Sequence, residues 1–171
     1  KINPHSSLCF FGLPGTGKTQ LAEHIAVEID KPIMIRTASD ILGKYVGESE
    51  DNMRKALKLS EAISPCVLWI DEIEKGLSVG GGEKDGGTNS RVFSTILTWM
   101  QEKTKPVFVV ATANNISDLP PELLRKGRFD EIFFVDLPSK EERKNILKIH
   151  LDKNGQTNIT DFDNLDDKTK H

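Results

Sequence analysis

Residues 12–19 constrain the fold of this chain more than any other segment, because they read Gly-Leu-Pro-Gly-Thr-Gly-Lys-Thr. This run fills every position of the phosphate-loop pattern G-x-x-x-x-G-K-[ST]. An apolar run over residues 7–11 precedes it, and apolar residues at helical spacing follow it. A strand, a glycine-rich loop and a helix in this order predict a site for the phosphates of a nucleoside triphosphate. The alternative, an ordinary glycine-rich turn, is disfavoured by the flanking strand and helix.

Each residue type in this loop has a use in phosphate binding. The glycines let the backbone curl so that successive N–H groups point at the phosphates. Lys18 is predicted to reach the β- and γ-phosphates, and the Thr19 hydroxyl is predicted to bind Mg²⁺. The predicted nucleotide-binding residues of the loop are Gly12, Leu13, Pro14, Gly15, Thr16, Gly17, Lys18, Thr19 and Gln20.

Apolar runs elsewhere in the chain predict the strands of a parallel sheet. They are nearly unbroken, which is typical of strands buried on both faces under helices. Helical patterns alternate with them, so we predict an α/β fold, a doubly wound parallel five-stranded sheet with its ligand at the carboxyl ends of the strands. The five runs are residues 7–11, 33–35, 66–70, 107–111 and 132–135.

A boundary between two subdomains is predicted near residue 138. Ser139 and Glu142 form a capping box that opens a last helix. We expect residues 1–138 to be a large α/β nucleotide-binding subdomain and residues 139–171 to be the incomplete beginning of a small helical lid. The chain starts at Lys1 and ends in a polar stretch, so we expect a piece of a longer protein.

Composition limits the partners that the chain is expected to have. The formal net charge of −3 gives no support to a nucleic-acid surface, and no apolar run is long enough to span a membrane. Cys9 and Cys66 lie in apolar runs without metal-ligand spacing, which predicts buried reduced thiols and a cytosol-like compartment. The glycine-rich residues 79–88 are expected to form a flexible loop.

Two carboxylates follow the third apolar run and complete the predicted site. Asp71 and Glu72 come directly after residues 66–70, so the sheet brings them to the same edge as Lys18 and Thr19. Asp71 is the expected partner of Mg²⁺, together with Thr19, and Glu72 is the expected base for the attacking water. The alternative, a solvated acidic pair in a turn, is disfavoured once the phosphate loop is considered.

The segments GLPGTGKT, VLWIDEIEK, VVATANN and ELLRKGRFD, in this order, resemble the AAA branch of the AAA+ ATPases over residues 7–151. The sequence of residues 111–138 is similar to that of a plastid and cyanobacterial AAA family of conserved reading frames. The resemblance implies an ATPase that uses ATP and Mg²⁺, forms a homo-hexameric ring and remodels or threads a protein substrate. It also implies a location in the cytoplasm or the plastid stroma.

The resemblance assigns roles to polar residues after the fourth run. Asn114 matches the first sensor of the family, which helps to hold the attacking water, although an ordinary turn asparagine is the alternative. Arg125 and Arg128 match the two arginine fingers, which act on the nucleotide of a neighbouring subunit. From the residues alone, the alternative is a short helix between Pro121 and Gly127 with Arg125 and Lys126 in its last turn, where cations complement the helix dipole.

Two further matches concern substrate and base contacts. Lys44, Tyr45 and Val46 resemble the pore loop of AAA remodelling proteins, with Tyr45 at the gripping position, and a tyrosine packed over a loop is the alternative. Ile146 and His150 share one face of the last helix, which contacts adenine and ribose in related domains, although a boundary histidine is the alternative.

Three functions remain distinguishable at this stage. The first is Mg²⁺-dependent ATP hydrolysis coupled to protein remodelling. The second is a nucleotide-dependent switch or assembly factor that threads nothing. The third is a nucleic-acid motor or loader, which would need basic residues on loops that face the pore. Residues 79–88 could form a second such loop or a disordered link, and the support is limited to Lys44 and Lys84.

Overall fold

The computed structural model describes residues 6–37, 40, 48–77, 82–125 and 127–155. Strands and helices alternate through most of this range, as expected for an α/β chain. In chain order the elements are β1 (Ser7–Phe11), α1 (Lys18–Ile29), β2 (Ile33–Thr37), α2 (Glu48–Ala62), β3 (Cys66–Asp71), α3 (Ile73–Leu77), α4 (Gly82–Glu102), β4 (Val107–Ala113), a 3-10 helix (Ile116–Asp118), β5 (Glu131–Phe134) and α5 (Lys140–Lys153).

All five strands pair in parallel, in the order β2-β3-β4-β1-β5. The predicted five-stranded parallel sheet is therefore confirmed, and each predicted run overlaps one strand, with Val135 alone lying past the end of β5. β4 lies at the centre, between β3 and β1. Consequently the segments that follow β1, β3 and β4 meet at one edge of the sheet, which is where ligands bind in folds of this type.

Alternating side chains of the central strands enter two separate cores. Leu68 and Val109 belong to one core, which also takes apolar side chains of α2 and α4. Val67 and Val110 belong to the other, which takes Ala22 and further residues of α1. Because successive strand residues point to opposite faces, the two cores lie on the two faces of the sheet. This arrangement confirms the doubly wound fold.

The prediction that every strand is buried on both faces is wrong for β5. Phe133 is 46% exposed and Phe134 is 59% exposed. β5 pairs only with β1, so it is an edge strand, and an apolar run does not distinguish an edge strand from a central one. The two rings still gain contacts, because Phe133 stacks on Phe10 and Phe134 lies against Phe11.

Two segments differ in local structure from the prediction. The loop predicted for residues 79–88 is wrong for residues 82–88, because α4 begins at Gly82 and continues into a segment whose apolar stripe is buried; residues 79–81 lie outside the described residues. The short helix expected between Pro121 and Gly127 is replaced by turns, in which the Leu123 N–H binds the Pro120 carbonyl. The Leu124 N–H likewise binds the Pro121 carbonyl three residues earlier, as in a turn, and Gly127 is left-handed with a φ of 91°.

Residues 136–171 form a second compact unit of the chain. Its described helix, α5, begins with the predicted capping box, which is confirmed. The Ser139 side chain accepts from the Glu142 N–H at 3.3 Å, and the Glu142 carboxylate accepts from the Ser139 N–H at 2.7 Å.

The expectation for the two cysteines is confirmed. Cys9 and Cys66 are free and buried, and burial raises the pKa of the Cys9 thiol to about 12, so it stays protonated. Within the described part of the chain, every helix is too short or too polar to cross a membrane.

Candidate active site

The phosphate-loop segment leaves the end of β1 through a glycine that no other residue can replace without movement. The Gly12 N–H binds the Ala113 carbonyl of β4 at 3.1 Å. A Cβ on Gly12 would lie 2.1 Å from the Val135 carbonyl oxygen, and the Gly12 φ of 154° also disfavours a side chain. The loop therefore starts at a fixed point in the sheet, wedged between two backbone segments.

Helix α1 begins at this loop with its N–H groups unused by side chains. Gly17 is the N-cap, with a left-handed φ of 90°, and among the described residues neither a side-chain cap nor an acidic side chain lies in the first turn. The first N–H groups of a helix lack partners within it, and the helix dipole favours an anion there. Thr19 and Gln20, in this first turn, are exposed to solvent.

Lys18 extends from the first turn of α1 back into the loop. It is only 8% exposed, and its Nζ donates to the Gly12 carbonyl at 2.7 Å and to the Leu13 carbonyl at 2.8 Å. Burial lowers the pKa of Lys18, while the negative charges of Glu74, Asp71 and Glu72, in that order, oppose the shift. An ammonium held inside a curled loop is suited to a ligand that brings several negative charges.

One hydroxyl of β4 binds both the Asp71 carboxylate and the backbone of Glu72. Thr112 Oγ1 donates to Asp71 Oδ1 at 2.5 Å, and Thr112 Oγ1 also accepts from the Glu72 N–H at 3.2 Å. Glu72 has a positive φ of 50°, which is uncommon for a residue with a side chain and is frequent at functional sites. The chain therefore turns sharply after Asp71, which separates the two carboxylates.

The Glu72 carboxylate is held by two donors. Its Oε1 accepts from Asn114 Nδ2 at 3.1 Å and from Lys75 Nζ at 2.7 Å. These bonds, with Lys75 contributing most, keep the pKa of Glu72 below its ordinary value. At neutral pH the carboxylate is therefore ionised and able to accept a proton or a hydrogen bond from water.

Four of the predicted site residues thus lie at one edge of the sheet. Lys18 comes after β1 and its loop, Asp71 is the last residue of β3, Glu72 follows it, and Asn114 follows β4. The contact between Asn114 and Glu72 and the electrostatic influence of Asp71 and Glu72 on Lys18 are the observations that bring them together.

The residues predicted to act beyond this edge are placed differently. Arg125 is exposed, whereas Arg128 is partly buried and donates from Nη1 to the Leu97 carbonyl at 3.1 Å. Ile146 and His150 lie on α5 in the second unit, where both are exposed. The remaining three predicted residues, Lys44, Tyr45 and Val46, lie outside the described residues.

Sequence reasoning missed three residues that support this arrangement. Glu74 and Lys75 lie in the segment that follows Glu72, and Thr112 lies within β4. The sheet register could have indicated Thr112, because Ile70 pairs with Ala111 and the next residues are Asp71 and Thr112. For Glu74 the only signal was an acidic residue two positions after Glu72, which a solvated turn would explain equally well.

The donor set fits a magnesium ion only in combination with a phosphate ligand. Within the described part of the chain, His, Cys, Asp and Glu form no cluster of three that could hold a metal by themselves. Mg²⁺ commonly binds through one or two protein oxygens, several waters and substrate phosphates. Asp71 and the Thr19 hydroxyl are oxygen ligands of that kind, and the loop presents a lysine and a first helical turn without a side-chain cap among the described residues.

A parallel five-stranded α/β sheet with this loop after its first strand defines a P-loop nucleotide-binding domain. Residues 8–137 match the family model described as AAA, ATPase family associated with various cellular activities. The chain therefore belongs to the AAA ATPase family.

Several relatives agree with this assignment. The chain is 53% identical to the "Uncharacterized AAA domain-containing protein ycf46" of Pyropia yezoensis over 146 residues, which cover 85% of this chain and 30% of that protein. A protein of the same name from Trieres chinensis is 51% identical over 144 residues, or 84% of this chain and 29% of that protein. The "Cell division cycle protein 48 homolog" of Archaeoglobus fulgidus is 34% identical over 171 residues, 99% of this chain and 23% of that protein.

The chain spans about a third or less of the length of these relatives. The identity of about one half to the proteins named ycf46 also agrees with the family resemblance stated from residues 111–138.

Proposed function

We propose that this chain is the Mg²⁺-dependent ATP-hydrolysing module of an AAA protein. The observation that carries the proposal is the convergence of Lys18, Asp71, Glu72 and Asn114 at the carboxyl ends of β1, β3 and β4. A cation inside a phosphate loop, two carboxylates and an amide are the groups that phosphoryl transfer to water requires.

Each residue has a separate role in this proposal. Residues 12–20 bind the phosphates through backbone N–H groups, and Lys18 neutralises charge on the β- and γ-phosphates. Glu72, ionised and oriented by Asn114, accepts a hydrogen bond from the attacking water and then its proton. Thr19 and Asp71 would hold Mg²⁺, which when bound neutralises charge on the phosphate oxygens.

We propose that the module works as a homo-hexameric ring in which Arg125 and Arg128 act on the site of a neighbouring copy. The exposure of Arg125 suits contact with another chain. The Arg128 bond to the Leu97 carbonyl would have to exchange for such a contact, so Arg125 is the better supported finger. The ring would be located in the cytoplasm or the plastid stroma.

The remaining assignments are proposals that complete this picture. Residues 1–138 would form the large nucleotide-binding subdomain and residues 139–171 the beginning of the helical lid, with Ile146 and His150 near adenine and ribose. Lys44, Tyr45 and Val46 would contact a protein substrate. A basic nucleic-acid surface finds no support in the net charge of −3.

Glu72→Gln in the full-length protein tests the proposal. The amide keeps the size of the side chain but cannot accept a proton, so ATP should still bind while hydrolysis falls by roughly 10² to 10⁴. Binding is measured by calorimetry with Mg²⁺ and ATP, and hydrolysis by phosphate release. The matched control is Glu102→Gln, an exposed glutamate at the end of α4, which should hydrolyse ATP normally. Full activity in Glu72→Gln would remove Glu72 from the mechanism.

A further inference from the structure

Glu74 is the buried acid of this site for which the proposed mechanism has no use. It lies on α3, is only 6% exposed, and accepts from the Asn114 backbone N–H through Oε1 at 3.0 Å. Its second oxygen, Oε2, is buried and has no hydrogen-bond partner among the described residues. Burying a carboxylate this deeply lowers the stability of the fold unless its contacts compensate, so the contacts of Glu74 are expected to have a specific role.

Asn114 is anchored to two acids that are two residues apart. Its backbone N–H binds Glu74, while its side-chain Nδ2 binds Glu72 Oε1 at 3.1 Å. The backbone bond to Glu74 fixes the position of Asn114, and this position limits the direction in which the Asn114 side-chain amide can donate to Glu72. Without the Glu74 acceptor, the end of β4 would keep only one of these two anchors.

The element that carries Glu74 is itself fixed. α3 begins directly after Glu72, Ile73 is only 2% exposed in the core, and the Lys75 N–H binds the Glu72 carbonyl at 2.9 Å. Glu74 therefore reaches Asn114 from a rigid turn. Its charge also acts on Lys18, whose pKa it raises against the effect of burial.

We propose that Glu74 is a positioning residue of the ATPase site, whose buried carboxylate holds the Asn114 end of β4 so that the Asn114 amide meets Glu72. This inference rests on the proposed function and adds a residue to it. Because Glu74 acts on the water-activating carboxylate through Asn114, its loss lowers kcat and leaves KM for ATP nearly unchanged. A second role through the charge on Lys18 would instead affect nucleotide binding.

Three substitutions in the full-length protein separate these effects. Glu74→Gln keeps an oxygen acceptor for the Asn114 N–H but removes the charge, so kcat should stay within about fivefold of the wild-type value. Glu74→Met keeps the length without an acceptor, and kcat should fall by about tenfold or more with KM changed by less than about threefold. Glu74→Asp keeps the charge but shortens the reach, and it should lose kcat in the same way.

A double-mutant cycle with Asn114→Ala tests whether the effect passes through Asn114. Once the Asn114 amide is absent, its position no longer matters, so Glu74→Met should cause little further loss of kcat in that background. If Glu74→Met does not fold, as judged by circular dichroism, Glu74→Asp takes its place in the cycle. A purely structural role would lower kcat equally in both backgrounds.

The outcomes distinguish this inference from the proposed function. If the wild-type protein hydrolyses ATP and Glu72→Gln does not, the proposed function stands. The inference is then overturned if the folded Glu74 variant keeps wild-type kcat, if its loss is as large beside Asn114→Ala, or if Glu74→Gln loses nucleotide affinity by about tenfold. If the wild-type protein neither binds nor hydrolyses ATP, both fail together.

Discussion

Lys103 should make the stability of this chain rise with pH, and replacing it with methionine should remove that rise. The residue follows α4, is only 2% exposed, and its Nζ donates to the Val107 carbonyl at 2.6 Å while lying 5.4 Å from the centre of the Trp99 ring. Burial lowers the pKa of Lys103 from 10.5 to about 8, although the charges of Asp130, Cys66 and Glu61 oppose this shift.

The sign and size of the effect follow from proton linkage. Between a pH of about 8 and about 10.5, the unfolded chain holds a proton on Lys103 that the folded chain has released, so the free energy of unfolding increases with pH. The gain in the free energy of unfolding is complete above a pH of about 10.5 and is lost progressively as the pH falls from about 10.5 to about 8. Integrated from about pH 7 to about pH 9.5, the gain is about 2 kcal/mol.

The assay compares urea unfolding of the wild type, Lys103→Met and Lys105→Met by circular dichroism, at about pH 7 and at about pH 9.5. Lys105 is an exposed neighbour and serves as the matched control. The raised pKa of Cys9 lowers stability as the pH rises, but it does so in all three proteins and cancels in the comparison. If the free energy of unfolding changed with pH as much in Lys103→Met as in the wild type, the claim that burial destabilises the Lys103 ammonium would be refuted.

Three further substitutions test the loop and the proposed assembly. Gly12→Ala places its Cβ 2.1 Å from the Val135 carbonyl oxygen, so it should lower the free energy of unfolding by about 2 kcal/mol or more. The control is Gly15→Ala, whose Cβ meets no atom within 4 Å and which should lower that free energy by less, as measured by urea unfolding. Equal losses in the two variants would argue against the clash. Arg125→Ala should reduce ATP hydrolysis by about 10³ and regain activity when mixed with Glu72→Gln subunits, and an absence of rescue would contradict action between copies. Tyr45→Ala should keep ATP hydrolysis but abolish remodelling of a protein substrate, and intact remodelling would favour the nucleotide-dependent switch.

The sheet and the phosphate loop could be predicted because their signals are local. An apolar run predicts a strand wherever it lies, and the loop pattern depends on glycine geometry and one lysine within a few residues. The exposure of β5 could not be predicted in this way, because strand order depends on pairing between distant segments. The helical start of α4 at Gly82 was missed for a related reason, since glycine composition argues for a loop while the downstream helix argues for continuation.

The supporting residues of the site could not be predicted because burial of a charge leaves no mark in the sequence. Glu74 and Lys75 are adjacent polar residues, yet Glu74 is buried and Lys75 is exposed. Lys103 likewise resembles any lysine after a helix. Which of these side chains faces the core depends on where α3 and α4 begin and end, to within a single residue.

Thr112 shows how closely the parts of the proposed site depend on one another. Its hydroxyl donates to Asp71 and accepts from the Glu72 N–H, and two residues later Asn114 binds Glu72 and Glu74. A small shift of β4 against β3 would therefore change the proposed metal-binding carboxylate, the proposed base and the sensor amide at the same time. Because these contacts all join the ends of β3 and β4, the residues to which the motifs assign separate roles depend on the same strand pairing for their positions.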